Sequence, residues 1–240
     1  MNSTPKRLLL LSILIVSGQS VSDGATISWN SNFDSVLIDS AGNPLDQSFS
    51  FEVGTFGAFA PTSANMSDWA SNWKVFDKAY LDDPNGWNWE NSFFTRTVTH
   101  EVDGTSSSPF ANPPNTLSPN VFSQNEIVYL WVYNTMILAE GAEWALLTDG
   151  LSGDNTYSRW LIPDPSESSS SYEWHLDDAR EVVLGGANNV QGDGQFSANP
   201  SVFNLQTAAV PEPTSALLVL SALGWLGWPR RCRAPQNVAR

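Results

Sequence analysis

Apolar residues recur along this chain at every second position, in short runs separated by turn-forming residues. In Ser48-Phe49-Ser50-Phe51-Glu52-Val53 the phenylalanines and valine share one face and the polar residues the other, the period of a half-buried strand. Phe94, Arg96, Val98 and His100 alternate with Thr95, Thr97 and Thr99 in the same way. Patterns of this kind predict strands at 26–30, 35–39, 48–55, 93–102, 126–134, 143–148, 158–162, 181–184 and 202–206. Turn formers lie between them: Ala41-Gly42-Asn43-Pro44, Asp82-Asp83-Pro84-Asn85-Gly86, Asp103-Gly104, Asp149-Gly150 and the stretch 188–194. Strands this short and this often interrupted predict an all-β fold, a single antiparallel β-sandwich of jelly-roll-like form. One segment has a different period. After Pro61, Thr62 and Ser63 can cap a helix in which Trp69, Trp73, Phe76 and Tyr80 recur at spacings of four, three and four, so a short helix near 63–73 is expected over a sheet end. The stretches 106–119 and 162–171 read as loops, and no internal repeat divides the body.

Both ends depart from this pattern. Lys6 and Arg7 precede an apolar stretch, 8–16, broken only by Ser12, and small residues follow; this is the three-part layout of a secretory signal peptide. Cleavage after Ser22, with Ser20 at the minus-three position, satisfies the small-x-small rule; Ser20 and Ala25 are nearby alternatives. Residues 1–22 are therefore expected to be a signal peptide, forming an N-terminal signal helix handled by the Sec export machinery and a signal peptidase, and 23–209 the exported domain. At the other end Val210-Pro211-Glu212-Pro213 precedes an apolar run, 214–228, and a basic tail, 229–240, holding Arg230, Arg231 and Arg233. The two prolines fix φ and remove donors, so the chain before the run is stiff and extended. A helix over the run spans only about 22 Å against a hydrocarbon core of ~30 Å, which predicts a marginal membrane stop with its arginines on the cytoplasmic side.

A proline-acid-proline motif, one hydrophobic helix and an arginine cluster, in that order, resemble the PEP-CTERM sorting signal of exported bacterial proteins. The resemblance covers residues 210–240. It implies that Val210, Pro211, Glu212 and Pro213 form the sorting motif and that an exosortase-type enzyme processes the chain near it. It further implies a membrane intermediate held through the C-terminal helix, then placement at the cell surface or in the extracellular matrix. Within the body, "FEVGTF", the Trp69 and Trp73 pair, "IVYLWVYN", "EWALLTD", "RWLIP" and "LQTAAVPEP" are similar to a PEP-CTERM protein type of Verrucomicrobia-like bacteria, which implies an exported β-domain and no particular chemistry.

Charge and composition narrow the partners. Between residues 25 and 211 five basic residues stand against 23 acidic ones, a net charge of −18. That field repels nucleic acid and anionic lipid surfaces, so no nucleic-acid partner is expected. The single cysteine, Cys232, lies in the tail, leaving the body without a disulfide or a thiol nucleophile. Stability must then come from a core, and nine of the eleven tryptophans fall in the body.

No catalytic or metal-binding residue is assigned. His100 and His175 are the only histidines, and neither lies in a His-Glu-x-x-His spacing. There is no Gly-x-Ser-x-Gly elbow, and no lysine lies near the glycines at 185–186 and 192–194. Glu52, Glu90, Glu101, Glu126, Glu140 and Glu143 offer carboxylates, but no spacing singles out a glycosidase pair. The motifs 149–155 and 82–86 combine oxygen ligands with turn glycines, as calcium requires, without matching an EF-hand loop; plain turns are the preferred reading and no cofactor is expected. The chain thus reads as a non-enzymatic surface or matrix protein. The alternative is a carbohydrate-binding module, with a glycoside hydrolase behind it. Trp87 and Trp89, two apart on an extended segment, would point the same way and form a platform for polysaccharide, with Asn85, Asn88 and Glu90 beside them. Core packing of the two indoles is the competing expectation.

Overall fold

The computed structural model describes residues 24–81, 86–112, 118–149, 159–167 and 171–211. The expected signal peptide, Glu212, Pro213, the expected hydrophobic helix, the basic tail with Arg230, Arg231 and Arg233, and most of both calcium-like motifs lie outside the described residues. Strands follow in chain order as β1 (Gly24–Asn30), β2 (Leu37–Ile38), β3 (Ser50–Thr55), β4 (Lys74–Ala79), β5 (Trp87–Asn88), β6 (Phe93–Glu101) and β7 (Tyr129–Tyr133). They continue as β8 (Glu143–Thr148), β9 (Ser171–His175), β10 (Glu181–Leu184), β11 (Gly186–Ala187), β12 (Val190–Gln191), β13 (Leu205–Gln206) and β14 (Ala208–Ala209). They build one sheet in the order β5-β6-β1-β9, a larger one in the order β10-β8-β7-β3-β4 with β14 on β8, and a small one in the order β12-β11-β13-β2.

The molecule is mostly β, and its sheets are antiparallel-rich, although two pairings, β1 with β9 and β2 with β13, are parallel. Those two correct the expectation of a purely antiparallel fold. Each joins segments far apart in sequence, so alternation within a strand carries no trace of the partner's direction.

Two cores flank the larger sheet. On its inner face Phe51, Val53, Phe76, Leu130, Val132 and Leu147 meet Ile27, Trp29, Phe94, Val98 and Trp174 of the first sheet. Contacts across the gap include Phe51 with Phe94, ring centroids 4.7 Å apart, and Phe76 with Trp174 at 5.7 Å. On the outer face Tyr129, Trp131, Tyr133, Trp144 and Leu146 lie under Phe56, Trp69 and Val210. Strand β7 is consequently buried along its whole length. Burial on both faces is why its sequence is a continuous apolar run rather than an alternation.

The short helix expected near 63–73 is present and covers the outer face, in two pieces. A 3-10 segment, Ser63–Asp68, leads into a single helical turn, α1 (Trp69–Asn72). Trp73 leaves the turn in an extended conformation, and Phe76 and Tyr80 belong to β4 and its end. A spacing of four fits a strand as well as a helix, so the aromatic stripe did not separate the two. Trp69 stacks on Trp144 at 5.7 Å and 25° and meets Trp131 edge-on at 5.8 Å. Of the other expected strands, 35–39 and 202–206 shrink to the two-residue β2 and β13. In its described part, 158–162 makes only an isolated bridge from Leu161 to Ile127.

Candidate functional site

Most described acids lie at the surface, but Glu52, Asp77 and Asp149 are buried, and the first two are paired inside the body. Asp77, fully buried, accepts hydrogen bonds from Trp29 Nε1 at 2.8 Å and Ser108 Oγ at 2.6 Å. Arg96 closes the cluster through Nε at 3.3 Å and Nη2 at 3.4 Å. One register pair further along, Glu52 faces the other way and meets Lys78 Nζ at 3.2 Å, Trp73 Nε1 at 2.9 Å and the Tyr133 hydroxyl at 2.5 Å. Burial, and then the Glu52 charge, push the Tyr133 phenol far above its ordinary value, so it stays protonated and donates. Glu126 accepts from Thr55 Oγ1 at 2.6 Å and the Ser123 N–H at 3.0 Å; Glu143 accepts from Ser40 and from Thr207 Oγ1 at 2.7 Å. Three of the six candidate carboxylates are thus acceptors within the packing, while Glu90 and Glu140 are exposed and Glu101 ends β6. Among the described residues no three His, Cys, Asp or Glu side chains converge as a metal site needs.

The tryptophan platform does not form. Trp87 is 2% exposed, its ring lies 4.6 Å from Phe51, and its Nε1 donates to the Asp46 carbonyl at 3.2 Å. Trp89 is 43% exposed. Strand β5 ends at Asn88 and the chain turns at once, closed by Asn91 N–H donating to Asn88 Oδ1 at 3.0 Å. The two-residue offset therefore does not run along one strand face, and the Asn88 carbonyl oxygen is engaged in the turn. Trp89 alone stays at the surface.

A concavity among the described residues lies elsewhere. A cleft of about 290 Å³ is lined by Gln124, Asn125, Arg159, Asp164, Glu167 and Tyr172, with the apolar stretch 161–163. Its two walls are joined by backbone: Asn125 N–H donates to the Ile162 carbonyl at 2.8 Å and Ile162 N–H to the Glu126 carbonyl at 2.9 Å. The Tyr172 hydroxyl donates to Glu167, and the Ser166 hydroxyl, then its N–H, hold Asp164 below the usual carboxylate range. Below the rim, buried His100 sets Nδ1 2.9 Å from the Pro163 carbonyl; that oxygen only accepts, so Nδ1 carries the hydrogen. Amide, guanidinium, carboxylate and phenol thus surround a partly apolar hollow, chemistry that suits a small polyhydroxylated ligand. None of the six polar lining residues stood out in the sequence. The only local signal is the apolar run of "RWLIP" beside a charged arginine; the pairing of 124–125 with 159–172 is tertiary.

Of the four residues expected to form a sorting motif, Val210 and Pro211 are described. Strand β14 pairs with β8 through Ala208 to Trp144 and Ala209 to Glu143, and the Val210 N–H donates to the Ala142 carbonyl at 2.9 Å. Val210 is 5% exposed in the outer core, whereas Pro211 is exposed. Among the described residues no helix is long and apolar enough to cross a membrane. Comparison of the chain with protein-family models, curated proteins and solved structures finds no match.

Proposed function

We propose that this chain is an exported protein of the cell surface or extracellular matrix, carried out by the Sec machinery and sorted by an exosortase-type enzyme through Val210-Pro211-Glu212-Pro213. Its body, read as a jelly-roll-like sandwich with an added small sheet, serves a structural or binding role without catalysis. The observation that carries the reading is the boundary at Val210: packing and sheet hydrogen bonding reach this residue, and the exposed Pro211 begins a segment that cannot extend a sheet. Such an arrangement suits presentation of the motif to an enzyme. Deletion of 214–240 should release the protein or misroute it in cell fractionation; unchanged surface placement of the truncated chain refutes the sorting role.

A second reading, carbohydrate binding, moves from Trp87 and Trp89 to the cleft. Its support is the cluster of Arg159, Asp164, Glu167 and Tyr172 around one hollow. Tyr172→Phe, which removes the hydroxyl but keeps the ring packed against the core, should weaken retention on an affinity gel of the producer's own polysaccharide with little change in melting temperature. Retention equal to the parent's rules the site out.

A further inference from the structure

We propose that the hairpin joining β7 to β8 is the surface on which the folded body rests against the bilayer before its tail is processed. The inference rests on the reading above that 214–228 enters a membrane. Strand β14 runs antiparallel to β8, from Ala208 beside Trp144 to Val210 beside Ala142, so the chain leaves the body heading toward the hairpin tip. Three residues separate Val210 from Thr214, and the four intervening Cα steps reach at most about 14 Å. The hairpin therefore lies on the side of the body from which the described chain exits.

That tip carries Met136, Ile137 and Leu138 in succession, and Ile137 is 72% exposed, more than any other large apolar side chain among the described residues. Its exposure is built in rather than a consequence of slack. Asn134 brackets the loop, Nδ2 donating to the Gly141 carbonyl and Oδ1 accepting from the Glu143 N–H, both at 2.9 Å. Thr135 Oγ1 accepts from the Ile137 N–H at 3.2 Å, and the Thr135 carbonyl accepts from Trp144 Nε1 at 2.5 Å. Gly141, at φ +78°, makes the left-handed step that returns the chain to β8. Met136 and Leu138 lean into the outer core, which leaves Ile137 as the projecting residue. Because the body is strongly acidic, the contact would be apolar insertion into the interface of uncharged or zwitterionic lipid, with exposed Glu140 on its aqueous side.

The test uses the full chain with Cys232→Ser, carrying either Ile137→Cys or Val190→Cys labelled with an environment-sensitive fluorophore. It is reconstituted in phosphatidylcholine vesicles containing a phosphatidylcholine spin-labelled near the headgroup. Val190 is 64% exposed and serves as the reference. We expect several-fold stronger quenching at 137 than at 190, abolished by deletion of 214–240. Equal quenching at the two sites, in a chain whose resistance to alkaline extraction depends on 214–240, overturns the hairpin contact and leaves the membrane reading standing. Extraction behaviour indifferent to that deletion overturns both. A blue shift at 137 without lipid quenching would put a second copy of the chain on the hairpin and also overturns the proposal.

Discussion

The two faces of the larger sheet are built from different residues because they are covered by different things. The inner face meets another sheet and uses Phe51, Val53, Leu130, Val132 and Leu147, side chains that interdigitate across a gap of ~10 Å. The outer face is covered by a single helical turn, a 3-10 segment and a strand end, and it relies on Trp69, Trp131 and Trp144. With few covering elements, each indole must supply more buried area. The buried charges divide the same way. Asp77 and Lys78 are neighbours on β4 and so face opposite sides: Asp77 inward to Arg96, Lys78 outward to Glu52. Asp77 is fully enclosed while Arg96 keeps 16% of its side-chain exposure; in the outer pair Lys78 keeps 24% and Glu52 6%. A charge is tolerated at either depth when its partner comes with it, and only in the outer pair does the acid itself keep access to water.

That contrast can be broken by removing one acid at a time. Asp77→Ala should be the more damaging, by about 3–5 kcal/mol, since it takes the acceptor from Trp29 Nε1 and the Ser108 hydroxyl and the counter-charge from the largely enclosed Arg96; chemical denaturation measures the loss, and a cost below that of the Glu52 variant would contradict the depth argument. A third buried acid, Asp149, sharpens the comparison through pH. Burial pushes its carboxyl up to about 6, while the Arg180 guanidinium 3.8 Å away pulls it down. A raised carboxyl contributes stability that is fully present below its unfolded value of ~3.9 and is lost as pH rises through about 6. Asp149→Asn should therefore gain on the parent between those limits, on the order of 2 kcal/mol, in denaturation curves taken across that range. Parallel pH profiles would mean the Asp149 carboxyl is not raised.

Glu52→Gln should cost less, about 1–2 kcal/mol, because Lys78 can turn to solvent and the amide still accepts from Trp73 or Tyr133. The smallest effect belongs to Trp89→Ala, expected within about 0.5 kcal/mol of the parent, against about 3–5 for Trp87→Ala. Thermal melts of the two variants side by side check both values; equal losses would show that Trp89 is held in the packing.

Strand positions were legible where one face meets solvent. Strand β6, with its threonines outward and Phe94, Val98 and His100 buried, follows the alternation read from its sequence. Strands β8 and β10 fall where their apolar patterns placed them. Strands β4 and β9 were missed, one hidden inside an aromatic spacing shared by helix and strand, the other inside a serine-rich stretch. The cleft was not legible, because its walls come from segments more than thirty residues apart and its residues are ordinary surface types taken singly.

By itself the sequence determined the β character of the body, the absence of disulfides within it, its acidity, and the order of apolar and charged segments at both ends from which export is proposed. Each of these follows from local order or from composition, which a linear chain carries in full. Tertiary structure decided which tryptophan of the 87 and 89 pair is buried, which acids are neutralised inside, that two strand pairings are parallel, and that the chain leaves the body beside the β7–β8 hairpin. Those outcomes depend on contacts between distant segments, and burial of a side chain is a property of what covers it rather than of its neighbours in the chain.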